Sequence, residues 1–159
     1  MSAPRQALPD LWHYTCGIKI PLILESGYLL PIPTNYAPKD ELPVIWLSHH
    51  PVFEPTAVKG YMNARTGQVQ TLTMQGTHEK CGGLYRLKIS PDIITHDLEW
   101  FRANSGINRK VFKSIVSVGK RQGANPDHWR VCEEPISLLA IDRVEAWTGT
   151  AREKSEAMA

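Results

Sequence analysis

The sequence predicts a single α+β domain in which short strands form split antiparallel sheets flanked by short helices, rather than a parallel βαβ fold. The chain has 159 residues, a length typical of one domain. Strand-like alternation is mixed with stretches of helical spacing, and twelve prolines divide the chain into short elements. We expect an N-terminal extension over 1–10, the folded domain over 11–148 and a flexible polar tail over 149–159.

The first part of the chain is predicted to place a helix and a long loop between two strands. Gly27 stands where a helix C-cap glycine belongs, and Pro21 fits only the first turn of that helix. Four prolines in the next stretch favour a loop. In chain order, we expect a strand over 11–15, a helix over 18–26, an extended piece over 28–30, a loop over 31–43 and a strand over 44–48.

The remaining two thirds of the chain alternate between short helices and strands. Residues 84–89 alternate between apolar and polar side chains, as a half-buried strand does. Asn108 is of a type that caps helices and precedes a stretch with helical spacing. We expect a helical turn over 56–62, a loop over 60–69, a helix over 72–80, a strand over 84–89, helices over 97–104 and 109–122, a turn over 123–127, and strands over 129–132 and 136–147.

Composition and charge exclude several classes of protein. The net charge is only +2, which is low for a protein that binds nucleic acid by bulk charge. Three cysteines without regular spacing argue against a disulfide framework and favour a reducing, cytoplasmic location. No apolar run approaches the roughly 18 residues that suggest a membrane span, so we expect no membrane partner.

Three short motifs contain the candidate functional residues. His13 lies in a strand between aromatic residues, and a second strand contains Trp46 and ends at Ser48. Late in the chain, Glu133 and Glu134 are adjacent, so on a strand only one of them can face a given side. Each motif alone has a simpler interpretation, because a lone histidine or tryptophan is more often part of the core and a charged pair is more often solvated.

A metal site is not predicted. His78 and Cys81 have ligand-like spacing, but no second pair of ligands with clean spacing follows. A Cys16 nucleophile assisted by His13 is also disfavoured, because residues three apart on one strand face opposite sides. The basic residues between 102 and 130 have helical spacing, which is more typical of a solvated face than of a binding surface.

Taken in order, the motifs resemble those of the ADP-ribosyltransferase superfamily, in its small bacterial or phage-type members. Residues 12–15 (Trp-His-Tyr-Thr) are similar to the opening strand of that family, and 44–48 (Val-Ile-Trp-Leu-Ser) to its central strand. Residues 132–135 (Cys-Glu-Glu-Pro) supply the late acid. The resemblance covers roughly residues 11–147 and implies split antiparallel sheets around an NAD cleft.

The resemblance also implies an activity and the residues that perform it. The activity is transfer of ADP-ribose from NAD, used as a co-substrate, to a macromolecular acceptor with release of nicotinamide; a toxin or defence role fits this activity. His13 would orient the ribose, and Glu134, with Glu133 as the second choice, would stabilise positive charge. Glu134 is favoured because Ile136 and Leu138 continue its side-chain phase. The cofactor-binding residues implied are His13, Tyr14, Thr15, Trp46 and Ser48.

The acceptor is left open between nucleic acid and protein. A nucleic-acid acceptor would be contacted through basic residues, namely Arg102, Arg109, Lys110, Lys113 and Arg121. The sequence departs from the family in having two adjacent acids, which argues against an arginine acceptor, and in the residues His49-His50-Pro51 after the central strand. Two alternatives remain: a non-catalytic binding module on the same fold, and a metal-dependent hydrolase or nuclease that uses the histidines at 49, 50 and 78 with Cys81.

Overall fold

A computed structural model describes residues 9–31, 41–148 and 152–154, and within these the protein is a mixed α+β structure. The strands are β1 (Leu11–Cys16), β2 (Tyr28–Leu29), β3 (Ile45–Ser48), β4 (Gly60–Met62), β5 (Val69–Thr71), β6 (Leu84–Ile89), β7 (Trp129–Cys132), β8 (Ile136–Ser137), β9 (Ile141–Trp147) and β10 (Arg152–Lys154). The helices are α1 (Ile20–Ser26), α2 (Met74–Lys80), α3 (Leu98–Asn104) and α4 (Arg109–Arg121).

The main sheet is antiparallel and has the strand order β9-β6-β1-β3-β7, with the short strand β10 added at the β9 edge. β1 and β6 align over their full length, from Leu11↔Ile89 to Cys16↔Leu84. β1 and β3, in contrast, register at the single pair Trp12↔Ser48. The sheet therefore opens between the later residues of β1 and the earlier residues of β3.

Two packed layers cover the main sheet. On one face, the two-stranded sheet of β2 and β8 contributes Leu29 and Ile136 to the core. That core also contains apolar residues of the main sheet, including Leu11, Ile45, Leu47, Leu87 and Val144. On the other face, α3 buries Phe101 against Val44 and Val131. The opening between β1 and β3 lies between these two layers.

The structure confirms the α+β class and most of the predicted elements, often to within one or two residues. Gly27 has a positive φ of 76° at the end of α1, as a C-cap glycine should. The side-chain oxygen of Asn108 accepts the first amide hydrogen bonds of α4. The helix predicted over 18–26 begins with a 3₁₀ turn at Gly17–Lys19 before α1.

Other predicted elements were wrong or incomplete. Residues 60–69, predicted as the end of a helical turn and a loop, belong to the β4–β5 hairpin, which extends to Thr71. Its turn is fixed by the Asn63 side chain, which accepts from the Arg65 amide, and by Gly67 at a φ of 68°. The strand predicted over 136–147 is interrupted by a 3₁₀ turn at Leu138–Ala140. In the predicted flexible tail, Arg152–Lys154 pair with β9.

Some expectations concern residues outside the described ranges. They include residues 1–8 of the predicted extension, 32–40 of the predicted loop and the other residues of the tail. Within the described ranges, no helix combines the length and the apolar composition that crossing a lipid bilayer requires.

Candidate functional site

A cavity of about 960 Å³ opens where β1 and β3 separate. Both strands line it, together with α1 and β2 on one side and with α4 and the segment 54–59 on the other. The five residues predicted to bind a cofactor all line this cavity: His13, Tyr14, Thr15, Trp46 and Ser48. The structure thus brings together residues from two motifs that are about 30 positions apart in the sequence.

The split in the sheet explains how residues from opposite strand faces reach one cavity. Successive side chains of a strand point to opposite faces, so Tyr14 points away from the side on which Leu11 joins the core. Tyr14 packs edge-on against Phe53, with ring centroids 5.0 Å apart. Because β3 has separated from β1 at this level, the cavity is bordered by both faces of the sheet.

His13 connects the two diverging strands through its side chain. Its Nδ1 lies 3.0 Å from the backbone carbonyl oxygen of Trp46. Since a carbonyl can only accept, Nδ1 must donate the proton, which leaves Nε2 of the neutral ring as an acceptor. Loss of hydration lowers the pKa of His13 to about 4, an effect opposed by the Trp46 carbonyl and reinforced by Lys59 and Lys19. The ring is therefore neutral at pH 7 and can accept a hydrogen bond from a ligand hydroxyl.

Glu54 is a buried acid on the cavity wall that the sequence analysis missed. Its side chain accepts hydrogen bonds from the Ser48 hydroxyl at 2.7 Å, the Thr56 hydroxyl at 2.8 Å and the Trp129 indole nitrogen at 3.1 Å. The residue is 3% exposed. The available signal is a single acid between Phe53 and Pro55, six residues after Ser48, in a stretch with no predicted helix or strand.

Tyr14 and Ser48 fix the backbone around Glu54. The Tyr14 hydroxyl accepts the Glu54 amide at 3.0 Å, and the Ser48 hydroxyl accepts the His50 amide at 3.0 Å. Loss of hydration raises the pKa of Tyr14, although hydrogen bonding to Arg86 opposes this effect. Tyr14 is therefore a neutral phenol at pH 7. Two of the predicted residues thus position a third that had not been predicted.

A second buried polar cluster lies in the sheet beside this site. Arg86 is completely buried and donates to one carboxylate oxygen of Glu145 from Nε at 2.9 Å and from Nη2 at 2.6 Å. The guanidinium lies 3.6 Å from the centroid of a Trp12 ring, a cation–π contact. Arg86 also donates to the backbone carbonyl of Val52. This arginine therefore ties the segment before Glu54 to the main sheet.

Glu133 and Glu134 do not line the cavity. Both are exposed in the turn between β7 and β8. Glu133 lies 3.4 Å from the His96 ring nitrogen. The prediction that Glu134 shares the side-chain phase of Ile136 is wrong, because Ile136 is fully buried while Glu134 is exposed. The physical reason is Pro135: it separates β7 from β8, so the strand phase does not continue across it.

The basic residues predicted to contact a nucleic acid all lie on exposed surfaces. Arg102 pairs with Glu99 at 2.9 Å on α3, and the other four are exposed on α4, namely Arg109, Lys110, Lys113 and Arg121. α4 also lines the cavity, through Ser114, Val118 and Gln122. None of the five basic residues is among the lining residues, although Lys110 and Arg121 share a helix face with Ser114.

The residues proposed for a metal site do not form a ligand set. Within residues 9–31, 41–148 and 152–154, no group of three or more histidine, cysteine or acidic side chains is arranged to hold a metal ion. His78 packs against Trp147 with ring centroids 5.6 Å apart. His50 packs edge-on against His128 at 5.8 Å. No cluster in this part of the chain therefore supports the metal-dependent alternative.

Comparison with known proteins adds no relative: no protein-family model, curated protein or solved structure matches this chain. The geometry of the cavity and its residues is therefore the basis for assigning a function to this chain.

Proposed function

We propose that this protein is an ADP-ribosyltransferase that binds NAD in the cavity between β1 and β3 and transfers ADP-ribose to a macromolecular acceptor. One observation carries the proposal: the five residues implied by the family resemblance, His13, Tyr14, Thr15, Trp46 and Ser48, converge on one cavity. The split antiparallel sheet is the architecture that the resemblance implies. On this proposal, the fold is a small variant of the ADP-ribosyltransferase fold.

The size and charge of the cavity support a dinucleotide ligand. Ligand pockets typically enclose roughly 300–1,000 Å³, and this cavity of about 960 Å³ is near the upper limit. Lys19 and Lys59 line it and could pair with phosphate oxygens. Trp46 and Trp129 supply aromatic surface on which a planar base could pack. A phosphate-bearing ligand with a planar ring matches both features.

The proposed reaction exchanges one bond at the anomeric carbon of the nicotinamide ribose. The bond between this carbon and the nicotinamide nitrogen breaks, and its electron pair leaves with neutral nicotinamide. A lone pair of the acceptor forms the new bond to the same carbon, and the acceptor releases a proton to solvent. His13 Nε2 would accept a hydrogen bond from a ribose hydroxyl and so hold the sugar in a reactive orientation.

The acceptor surface and the location are part of the same proposal. The basic side of α4 lies beside the cavity, and Arg109, Lys110, Lys113 and Arg121 would suit the phosphates of a nucleic-acid acceptor. Cys16, Cys81 and Cys132 are free and buried, as expected for a protein of the reducing cytoplasm.

The first test is incubation of the purified protein with labelled NAD, alone and with cell lysate. We expect nicotinamide release and transfer of the label to a macromolecule, both of which should be lost in a folded His13→Ala variant. Nuclease and protease treatment of the product would identify the acceptor class. Unchanged NAD consumption by His13→Ala would contradict the assigned role of His13, and absence of turnover by the wild type would contradict the proposed activity.

A non-catalytic binding module is the second candidate. It is favoured by one observation, that neither Glu133 nor Glu134 reaches the cavity. Such a module would bind NAD without consuming it. Binding at 100 times the dissociation constant should stabilise the fold by about 2.7 kcal/mol, so a thermal shift at millimolar NAD without nicotinamide release would identify it.

A further inference from the structure

Glu54 lines the cavity as a charged group without a charged partner. None of the ion pairs among residues 9–31 and 41–148 involves it. We propose that Glu54 supplies the negative charge of this cleft, where it holds a planar aromatic cation and stabilises the positive charge that develops on the adjoining sugar. On the proposed function, on which this inference rests, that cation is the nicotinamide ring of NAD. Glu54 would thus take the role that the family resemblance implies for Glu134.

The hydrogen bonds of Glu54 orient the carboxylate and leave acceptor capacity. A carboxylate offers about four lone-pair sites. One oxygen accepts from the Thr56 hydroxyl, the Trp129 indole and, at 3.4 Å, the Thr56 amide, whereas the other accepts only from the Ser48 hydroxyl at 2.7 Å. Ser48 must donate its proton to Glu54, because a carboxylate oxygen can only accept, and the Ser48 oxygen accepts the His50 amide at the same time. The second oxygen of Glu54 can therefore accept a further hydrogen bond from a ribose hydroxyl.

The surroundings of Glu54 strengthen its effect on a bound cation. Charges interact more strongly in a partly dehydrated cavity than in water, and groups already in place need no reorganisation during the reaction. The Trp46 and Trp129 rings, whose centroids are 6.4 Å apart, line the same cavity. Aromatic faces attract cations. A planar cation would thus meet a carboxylate and aromatic rings in one place.

The cavity also contains unpaired positive charge. Lys19 and Lys59 line it, and neither takes part in an ion pair among the described residues. A ligand that carries both a phosphate group and a cationic ring would neutralise the lysines and Glu54 together. Oxidised NAD has both groups, whereas reduced NADH has a neutral nicotinamide ring. The charge pattern therefore favours the oxidised form.

A binding experiment tests Glu54 without requiring turnover. The probes are the N-methylnicotinamide cation and neutral nicotinamide, which have rings of similar size. We expect the wild type to bind the cation about tenfold more tightly, and Glu54→Gln to bind both with similar affinity. Glu134→Gln is the matched control, because that residue is exposed outside the cavity, and it should keep the preference. Equal binding of the two probes by the wild type would overturn the inference.

Turnover separates failure of this inference from failure of the proposed function. With wild-type NAD turnover established, Glu54→Gln should lower kcat by about 100-fold or more with a smaller change in the Kd of NAD, and Glu134→Gln should stay within twofold. The reverse pattern would overturn the inference and leave the proposed function standing. If the wild type prefers the cation but does not consume NAD, and Glu54→Gln loses that preference, only the transferase proposal is refuted.

If Glu54→Gln does not fold, the variant Thr56→Val tests the role of Glu54 instead. Thr56→Val removes one donor to Glu54 while preserving the side-chain shape, so the carboxylate should be less well oriented. We expect a drop in kcat of about tenfold at nearly constant KM. An unchanged kcat in a folded Thr56→Val protein would count against the assigned role of Glu54.

Discussion

Two buried glutamates in this protein are held in opposite ways. Glu145 is 6% exposed and lies directly across the sheet from Arg86, at 2.6 Å, with Arg143 at 3.1 Å from its other oxygen. Glu54 is 3% exposed and is held by neutral donors only: two hydroxyls, an indole and, at 3.4 Å, the Thr56 amide. Glu145 is enclosed in the sheet, whereas Glu54 faces a cavity.

The difference separates a structural charge from a functional one. Burying a carboxylate costs several kcal/mol of hydration, and the cost is best recovered when a cation is near. For Glu145, Arg86 and Arg143 offset this cost within the folded chain. For Glu54, neutral donors offset only part of it, and a bound cation would offset the rest. Buried charges left unbalanced in a cleft are a physical indicator of a functional site.

The largest expected effect on stability comes from removing the charged partner of Glu145. Arg86→Met removes the main partner of Glu145 and leaves an under-compensated buried carboxylate. We expect the free energy of unfolding to fall by about 3–5 kcal/mol, measured by urea denaturation. Arg143→Met is the matched control: its side chain is 34% exposed and makes one ion-pair contact with Glu145 and a longer contact, at 5.4 Å, with the Trp12 ring, so we expect a loss of about 1 kcal/mol or less.

Urea denaturation of Glu54→Gln tests whether Glu54 stabilises the fold as Glu145 does. Glutamine keeps the side-chain shape and can still form part of the hydrogen-bond network, so we expect a loss of only about 1 kcal/mol despite a large loss of turnover. If Glu54→Gln were as destabilising as Arg86→Met, Glu54 would be a structural charge like Glu145. If Arg86→Met cost no more than Arg143→Met, the Arg86–Glu145 pair would not stabilise the sheet as proposed.

The fold class and one wall of the cavity could be predicted because local sequence determines them. β1 and β3 are short apolar runs with strand-forming residues, and the αL glycine and the side-chain cap that bound α1 and α4 are sequence-local features. Once both strands were placed, His13 and Ser48 were natural candidates for a common site. That His13 and Ser48 line the same cavity is predicted by the family resemblance and not by the periodicity of the sequence.

The position of the acid could not be predicted because it depends on non-local contacts. Glu54 becomes a buried site residue through Trp129, 75 positions later in the chain. Its local sequence shows only one acid in a stretch without a predicted helix or strand. Glu134 would face the same side as Ile136 only on one continuous strand, but the strand is interrupted at Pro135. A strand phase that crosses a proline is weak evidence for which way a side chain faces.

An intermediate effect is expected from His13, which is also held without a charged partner. Its pKa is about 4 in the folded protein, below the usual value of 6.5. Between these pH values the unfolded chain binds a proton that the folded protein excludes, so stability must decrease as the pH falls from 6.5 towards 4. We expect this residue to contribute a loss of about 2–3 kcal/mol.

The contribution of His13 is isolated by comparison with His13→Asn, which can still donate to the Trp46 carbonyl but does not titrate. Urea unfolding of both proteins between pH 7 and pH 4 gives the difference directly. Carboxylates titrate in both proteins and cancel in this comparison. Parallel pH profiles for the two proteins would show that His13 protonates as easily when folded as when unfolded, contrary to the lowered pKa assigned here.

The smallest expected effect concerns the wall that supports Glu54. Trp129, which donates to Glu54, packs against Gly119 of α4, where an added Cβ would lie 2.6 Å from the Trp129 ring carbon Cζ2. Alanine normally stabilises a helix relative to glycine by about 0.5–1 kcal/mol. At Gly119 the overlap should outweigh this gain and give a net loss of about 1 kcal/mol. We expect the indole to shift, so binding of the nicotinamide probes should weaken as well.

Gly76 of α2 is the matched control for this last prediction. Its added Cβ would meet its nearest neighbours, the side chains of Leu72 and Thr73, at 3.4 Å, which are ordinary contacts. Gly76→Ala should therefore stabilise the protein by about 0.5–1 kcal/mol without changing probe affinity. Opposite signs for the two substitutions, measured by urea denaturation, would show that the Trp129 contact decides the outcome at Gly119. Equal gains would mean that Trp129 can move away freely, and Glu54 would then lack the fixed donor that distinguishes it from an ordinary surface acid.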